Sequence, residues 1–595
     1  MRLFPAGFMM LTILFAACSN IPKNAAIAVI DDPALDAAVA KARARLMASR
    51  KFDRFDVTIL IRQTDGSWRR GSYNPAAAFY PASCVKLPYL TAAMRWCRDN
   101  GKPYDHLDYC VRPMIEKSDN IQTGVVVDAI TGAPNYSPAA LDETYQAWYK
   151  KRLYTENFLA SFGLLENQTV IHKTYPSNSG ESPVGAEKIA RDERGMNLMQ
   201  PLASAMLMQK IIDGAIEPDA LAYMRELLAH ARHDSNSAFG HSLPPGTIFE
   251  NKTGMAYDTV EEIAYVILPN GREFIIAGFS NGRDNQEKPP YDVVGISPFS
   301  EMIIEELGLD DGCPPKIKID NTDAGFSASG GWQVETALVD KWGENYLAAP
   351  AESGAKAAWN LNVPESGLYE VYIWYPEDPA HSASAPFSVI HAAGTSDVKV
   401  NQQIHGGFWY KLGDYPFEKG GGVIELTSAN LGVVVADAVM AIKWHDAVSP
   451  QTGEDVIVDD DYGAPHYIET GEWRSVNNKG FMGGNFRYAN ISDDATAVWT
   501  ANLSTDGWYD VFAQYRSMLD GAAMAKFAVH SADGEFICYA DQSKNILKWV
   551  RLGRFRFNAG ENKITLMASG SSGGMRVIAD AVRFKLATPA DTGSK

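Results

Sequence analysis

The sequence predicts an α/β unit, an antiparallel sheet carrying an inserted helical lobe, followed by two all-β sandwiches. Three observations predict it. Residues 31–310 place strand-like stretches near both ends and helical patterns between them. The segment DDGCPPKIKID (310–320) then breaks regular structure with Gly and Pro-Pro. Beyond it the chain becomes rich in aromatic strands and glycine turns, and three blocks recur at near-constant spacing.

At 595 residues the chain is too long for one core, and length alone suggests about three to four domains. Hydrophobic residues at 46% and charged residues at 21% describe a globular protein. The formal charge of −18 repels phosphate backbones, so nucleic acid is not an expected partner.

The first segment, 1–18, reads as a signal. Arg2 supplies the positive end, and LFPAGFMMLTILFAA is an apolar run of secretory length. It closes on Ala16-Ala17-Cys18, which resembles a bacterial lipoprotein box, although Phe15 stands where Leu is usual. The resemblance implies export, lipidation of Cys18 and a place in the periplasm or at the cell surface. That lipid is the only membrane contact expected, because no later apolar run is long enough to span a bilayer. Cys84, Cys97, Cys110, Cys313 and Cys538 form no Cys-x-x-Cys pair and no zinc pattern. A Cys97–Cys110 disulfide is conceivable, but free buried thiols are the expectation. No cofactor or metal is expected.

Within 31–310, DDPALDAAVAKARARLMASR (31–50) has an Asp start and an amphipathic pattern, so it predicts a helix. FDVTILIRQTDGSWRRGSYNP gives a strand, an Asp-Gly turn and a second strand. Residues 81–230 are mostly helical in pattern. Strand character returns at 246–254 and 262–280, with Pro-Asn-Gly (269–271) as the hairpin turn. SPFSEMIIEELG (297–308) predicts a closing helix ended by Gly.

The C-terminal half repeats itself. GLYEVYIWY (367–375) matches GWYDVFAQY (507–515), WYKLGDYPFEKG (409–420) matches WVRLGRFRFNAG (549–560), and VVVADAVMAIKW (433–444) matches RVIADAVRFKL (576–586). The offsets are 140, 140 and 143 residues, which implies two copies, 319–445 and 456–587. Alternation puts Tyr369, Val371, Ile373 and Tyr375 in one core, and Tyr509, Val511, Ala513 and Tyr515 in the other. Trp374 should point away from its core. These blocks resemble the carbohydrate-binding-like domains of the golvesin and xanthan-lyase type, which implies a possible polysaccharide partner.

The chemistry gathers in three motifs. Ser83-x-x-Lys86 puts a hydroxyl and an amine on one face of a helix start, where free backbone N–H groups face a developing oxyanion. Ser118-Asp119-Asn120 follows, and then Lys252-Thr253-Gly254 at a strand end. The ordered trio resembles the serine β-lactamase and penicillin-binding-protein superfamily, class A branch. The resemblance covers roughly residues 35–308 and implies an acyl-enzyme mechanism on a small β-lactam, ester or peptidoglycan-like substrate. It assigns Ser83 as nucleophile, Lys86 as base and Ser118 as proton relay. Asn120, Lys252, Thr253 and Gly254 hold substrate, Lys252 and Thr253 through a substrate carboxylate. The N–H groups of Ser83 and Met255 stabilise the oxyanion, and Asp119 caps its turn.

Two departures from the class A pattern qualify this. The deacylating Glu expected before a Pro is replaced by Tyr175, ahead of Pro176, and Glu181 is the nearby alternative. No Arg occurs at 255–271, where Glu261 and Glu262 stand instead. Alternative functions follow: an envelope D-Ala peptidase or esterase with slow β-lactam turnover, or a catalytically slow glycan-binding envelope protein.

Overall fold

The computed structural model describes residues 27–50, 52–138, 140–175, 182–229, 238–241, 243–282, 295–392, 394–428, 432–445, 453, 455–476, 486–518, 520–544 and 548–587. The signal segment with Cys18 lies outside the described residues, as do Pro176 and Glu181.

The N-terminal sheet has six strands: β1 (Val29–Asp31), β2 (Phe52–Arg62), β3 (Trp68–Tyr73), β4 (Ile248–Ala256), β5 (Thr259–Ile267) and β6 (Glu273–Gly282). Their order is β1-β3-β2-β6-β5-β4. The sheet is mixed rather than wholly antiparallel, because β1 runs parallel to β3, with Val29 opposite Trp68. Helix α1 (Pro33–Ser49) makes this possible by returning the chain before β2 begins. Asp32 caps α1, accepting from the N–H groups of Ala34 (3.0 Å) and Leu35 (3.3 Å).

Two cores sandwich this sheet. Leu35, Val39, Ala42 and Leu46, at helical spacing, pack α1 on one face together with Phe299 and Ile303 of the closing helix Pro298–Leu307. On the other face lies the helical lobe, centred on α2 (Lys86–Asp99). Tyr89, Leu90, Ala92, Ala93 and Met94 are all buried, so α2 is wrapped on every side. Pro88 sits in its first turn, where a missing N–H costs nothing. Chain order therefore matches the expected sheet with an inserted lobe. The Asp-Gly and Pro-Asn-Gly turns sit where expected, with Gly66 and Gly271 left-handed. Cys84, Cys97, Cys110, Cys313 and Cys538 are free, and the first three are buried.

Beyond residue 315 the strands pair antiparallel into stacked sheets. A four-stranded sheet around Gly367–Trp374 faces a five-stranded one around Lys356–Asn360. The same arrangement recurs around Gly507–Gln514 and Thr496–Leu503. Tyr369, Val371, Ile373 and Tyr375 lie in the first core, and Tyr509, Val511, Ala513 and Tyr515 in the second, as alternation requires.

Trp374 does turn away from its sandwich core, but not into solvent. With Tyr372, Phe408, Trp409 and Met440 it forms a separate apolar cluster facing the N-terminal domain. The Trp409 indole donates to the buried Glu301 carboxylate of the closing helix, and His241 Nε2 lies 2.7 Å from Trp409 O. Arg50 donates to Gly406 O at 2.9 Å, and Lys318 pairs with Glu301 at 2.5 Å. The first sandwich is therefore docked on the hydrolase-like unit. Trp409→Ala should cost about 3–5 kcal/mol, the usual penalty for emptying a packed tryptophan site. Trp508→Ala, at a residue 49% exposed, should change stability by no more than ~0.5 kcal/mol. Denaturant unfolding of the full chain checks both, and equal effects would contradict the docked seam.

Candidate active site

Ser83 lies in a single turn of 3-10 helix, Ala82–Val85, that feeds directly into α2 at Lys86. Ala82 ahead of it has φ 41°, a left-handed conformation that costs an alanine energy. The turn is held by Cys84 N–H donating to Pro81 O at 2.8 Å.

Lys86 is wholly buried, and its Nζ touches four oxygens. Ser83 Oγ is at 2.9 Å, Ser118 O at 2.5 Å, Asn120 Oδ1 at 2.7 Å and Ser118 Oγ at 3.1 Å. Burial drives its pKa well below the usual lysine value, and the charge of Lys252 lowers it further. A neutral amine has two hydrogens and one lone pair. Asn120 Oδ1 and Ser118 O can take the hydrogens, which leaves the lone pair toward the Ser83 hydroxyl.

Ser118 stands between the two lysines, with Lys252 Nζ 3.2 Å from its Oγ. Its φ of 54° is again left-handed, the strain being held by the helix that starts two residues on, Asn120–Thr131. Asp119 is the cap of that helix, accepting from Gln122 N–H at 2.9 Å. Asn120 uses its other end to donate to Tyr175 O at 3.2 Å, so the segment before Pro176 is tied to the site.

Lys252, Thr253 and Gly254 lie on β4, the edge strand. Lys252 Nζ donates to Thr253 O at 2.8 Å, and burial brings its pKa down to about 8. Gly254 is a requirement of close approach. A Cβ there would stand 2.5 Å from Pro81 O and 3.0 Å from Cys84 N, so any side chain would push β4 off the serine turn. Met255 follows, half-buried, paired with Val260 of β5 and packed against the core that holds α1.

The structure therefore brings Ser83, Lys86, Ser118, Asn120 and Lys252 into one connected cluster. Thr253 is placed differently from the expected carboxylate donor. Its hydroxyl donates to Glu262 Oε1 at 2.7 Å, because Thr253 and Glu262 are cross-strand partners on β4 and β5. Glu262 also accepts from the N–H groups of Ala238 (3.0 Å) and Phe239 (2.5 Å), and from Asn251. Its neighbour Glu261 pairs with Gly254, and burial pushes its carboxyl well above the usual range, toward the neutral form. Sequence reading noticed both acids only as the absence of Arg. The Ala256–Thr259 hairpin, which fixes their register, was the signal available.

Two aromatic residues that sequence reasoning did not single out pair next to the motifs in sequence, Tyr80 just before the serine turn and Tyr257 just after β4. Tyr257, 72% exposed on the β4–β5 turn, packs against Tyr80 at 5.7 Å between ring centroids. Among the described residues one acidic group could hold a cation. Asp459, Asp460 and Asp580 bring oxygens within 4.8 Å of one another inside the second sandwich, remote in sequence from the lysine–serine cluster.

This geometry and architecture define a β-lactamase-like unit joined to a pair of β-sandwiches. A family model described as "Beta-lactamase enzyme family" matches residues 96–297, and one described as "Golvesin C-terminal domain" matches 317–443 and 456–586. The first match includes Ser118–Asn120 and Lys252–Gly254 but starts downstream of Ser83 and Lys86, so those two rest on the geometry. Golvesin of Dictyostelium discoideum is 31% identical over 429 residues, covering 70% of this chain and 73% of that protein. That stretch is longer than everything after residue 317, so the likeness reaches into the N-terminal unit. The chain belongs to the golvesin family. Xanthan lyase of Bacillus sp. (strain GL1) is 36% identical over 133 residues, 21% of this chain and 14% of that one. Among solved structures, a β-lactamase from Sphaerobacter thermophilus DSM 20745 is 19% identical with a TM-score of 0.32, over 46% of this chain and 98% of its own. PBP-A is also 19% identical, with a TM-score of 0.34, over 48% and 100%.

Proposed function

We propose that the N-terminal unit is an exported serine acyl hydrolase that works through an acyl-enzyme, held at the cell envelope by a lipidated Cys18. The observation that carries this reading is Lys86 Nζ at 2.9 Å from Ser83 Oγ, buried, with its pKa well lowered.

Lys86 takes the Ser83 proton as Oγ bonds to the substrate carbonyl carbon. The C–N or C–O bond then breaks, and Ser118 hands a proton to the leaving atom while drawing one from the Lys86–Lys252 side. Water later cleaves the Ser83 ester. A small β-lactam, ester or peptidoglycan-like amide fits the site. Lys252 serves as the cation that attracts a substrate carboxylate. Thr253, whose proton goes to Glu262, presents an acceptor instead.

The sandwiches are proposed as glycan-binding modules. The xanthan-lyase likeness and the exposed Trp508, Phe536 and Tyr539 of the second copy support this.

Intact-protein mass spectrometry after exposure to a penicillin and to a chromogenic ester tests the catalytic reading. One acyl adduct per chain is expected, on the peptide carrying Ser83. An adduct on another residue, or none with either reagent, would sink it.

A further inference from the structure

The two sandwiches differ in one respect that their common fold does not require. Residues 319–445 and 456–587 each contain 6 lysines and 15 acidic residues, but the first copy has no arginine and the second has 8. Arg551, Arg554 and Arg556 lie on the strand Val550–Phe557, and Arg583 on Ala581–Leu586. Both strands flank Gly507–Gln514. Tyr509, Val511, Phe555 and Phe584 of these strands fill the core. Alternation therefore turns the four arginines, with Trp508, Asp510 and Phe512, to the opposite side of the sheet.

Register carries the comparison between copies. Phe512 pairs with Arg551 and Arg583, as Tyr372 pairs with Lys411 and Met440. In the first copy this face is the seam with the N-terminal domain, and Tyr372 and Trp409 are wholly buried there. Their counterparts Phe512 and Trp549 are only half-buried. Trp508 is 49% exposed, and the Arg551 and Arg556 side chains are 52% and 49% exposed. The face that is sealed in the first copy is thus open to solvent in the second, and it has exchanged apolar residues for cations.

These cations outnumber the carboxylates paired with them. Asp510 alone serves Arg551 at 2.6 Å and Arg554 at 2.7 Å. Arg583 meets Asp455 at 2.5 Å, and Arg556 meets Asp533 at 2.5 Å. Lys585, exposed and opposite Asp510 in register, adds a fifth cation. Exposed ion pairs hold weakly, so an incoming carboxylate exchanges for them at little cost. Each guanidinium has five N–H donors in a fork that fits a carboxylate. Arg551 and Arg583 stand on either side of the central strand, two strand spacings or about 10 Å apart. Such a strip suits a chain of repeated charges better than a single anion. Aromatic surface lies beside it, with Trp508 opposite Arg556 and the Arg583 guanidinium 5.9 Å from the centre of the Trp549 ring.

We propose that this face of the second sandwich binds an acidic polysaccharide, with carboxylates on Arg551 and Arg583 and sugar rings against Trp508 and Trp549. The proposal rests on the reading of the sandwiches as glycan-binding modules, and assigns that role to one copy, one face and one class of glycan. Duplex DNA carries a charge every ~1.7 Å, and the rest of a chain of net charge −18 repels it. A uronate polymer spreads its charge over whole sugars and offers the tryptophans apolar ring faces.

Biolayer interferometry of the full chain on immobilised polygalacturonate, and on the same polymer with its carboxylates methyl-esterified, tests it. Saturable binding to polygalacturonate is expected, about tenfold tighter than to the ester and weakened by salt. Arg551→Gln combined with Arg583→Gln should erase that preference, while Lys399→Gln, at an exposed lysine of the first copy, should keep it. If the double variant fails to fold, Lys585→Gln and Trp508→Ala replace it. The first should weaken binding to the acidic polymer only, the second to both. Equal binding of both polymers, untouched by the arginine substitutions, would leave the glycan-module reading standing and overturn this one. Binding to duplex DNA as tight as to polygalacturonate, or no binding to polygalacturonate at low salt, would overturn it as well.

Discussion

Lys86→Met should lower the rate of Ser83 acylation by about 10³-fold, and Ser83→Ala should leave no adduct at all. The size follows from what Lys86 does. A serine hydroxyl is a weak nucleophile until its proton has somewhere to go. The amine at 2.9 Å is the one basic group in contact with it among the described residues. Methionine fills similar space without a basic amine. It also leaves Asn120 Oδ1 and Ser118 O without that donor, so the variant should melt somewhat lower than the wild type, and a native circular-dichroism spectrum at the assay temperature separates lost chemistry from lost fold. The pH dependence adds a check through Lys252. Burial sets its pKa to about 8, against an ordinary value of 10.5. Between those values the unfolded chain holds a proton that the folded chain has released. Stability from this group therefore rises with pH across that window and is lowest below it. Acylation of a carboxylate-bearing substrate should do the opposite, falling as pH passes about 8 and Lys252 loses its charge. Quenched time points read by mass spectrometry give the rates. A Lys86→Met chain that acylates at the wild-type rate would remove Lys86 from the role of base.

Much of this site was legible because its residues signal locally. Asp32 and Asp119 are helix caps, Gly308 is a helix end, and Ser83-x-x-Lys86 needs only one turn of helix to bring its groups together. Turn chemistry gave the strand pairs around Gly66 and Gly271. The unread part depends on partners distant in sequence. β1 is three residues long and carries no turn signal, so its parallel pairing with β3 left no trace in the pattern. Alternation correctly turned Trp374 away from its sandwich, yet a period of two names only a face and not what covers it. The seam with Glu301 and His241 was therefore invisible. The hold of Tyr175 on Asn120 uses a backbone carbonyl, which every residue has. The Thr253–Glu262 bond was recoverable in principle, since a hairpin at Ala256–Thr259 makes those two residues partners.

Penicillin-labelled protein should keep its adduct, with deacylation about 10²–10⁴-fold slower than in a site that has a general base, so that hydrolysis shows one rapid equivalent followed by a slow steady state. Tyr175 stands directly before Pro176, where the class A resemblance leads to the expectation of a glutamate. Its carbonyl is bonded to Asn120, and burial together with the charge of Glu187 pushes its hydroxyl above the usual tyrosine value. A phenol held in its neutral form cannot draw a proton from water near neutral pH. Glu187 is the carboxylate acting most strongly on Tyr175, but it is buried in an ion pair with Arg152, itself tied to Asp128 at 3.3 Å. Taking up a water proton would break that pair inside the protein, where an uncompensated charge is costly. Glu261 and Glu262 are fully buried on β5, and burial raises both carboxyls, that of Glu261 well above the usual range, so neither stands as a ready ionised base. Among the described residues no carboxylate is then free to activate the second water. Rapid steady-state turnover of a penicillin would overturn this account and point to Glu181. In that event Glu181→Gln should abolish turnover while leaving the acyl adduct to form at the wild-type rate.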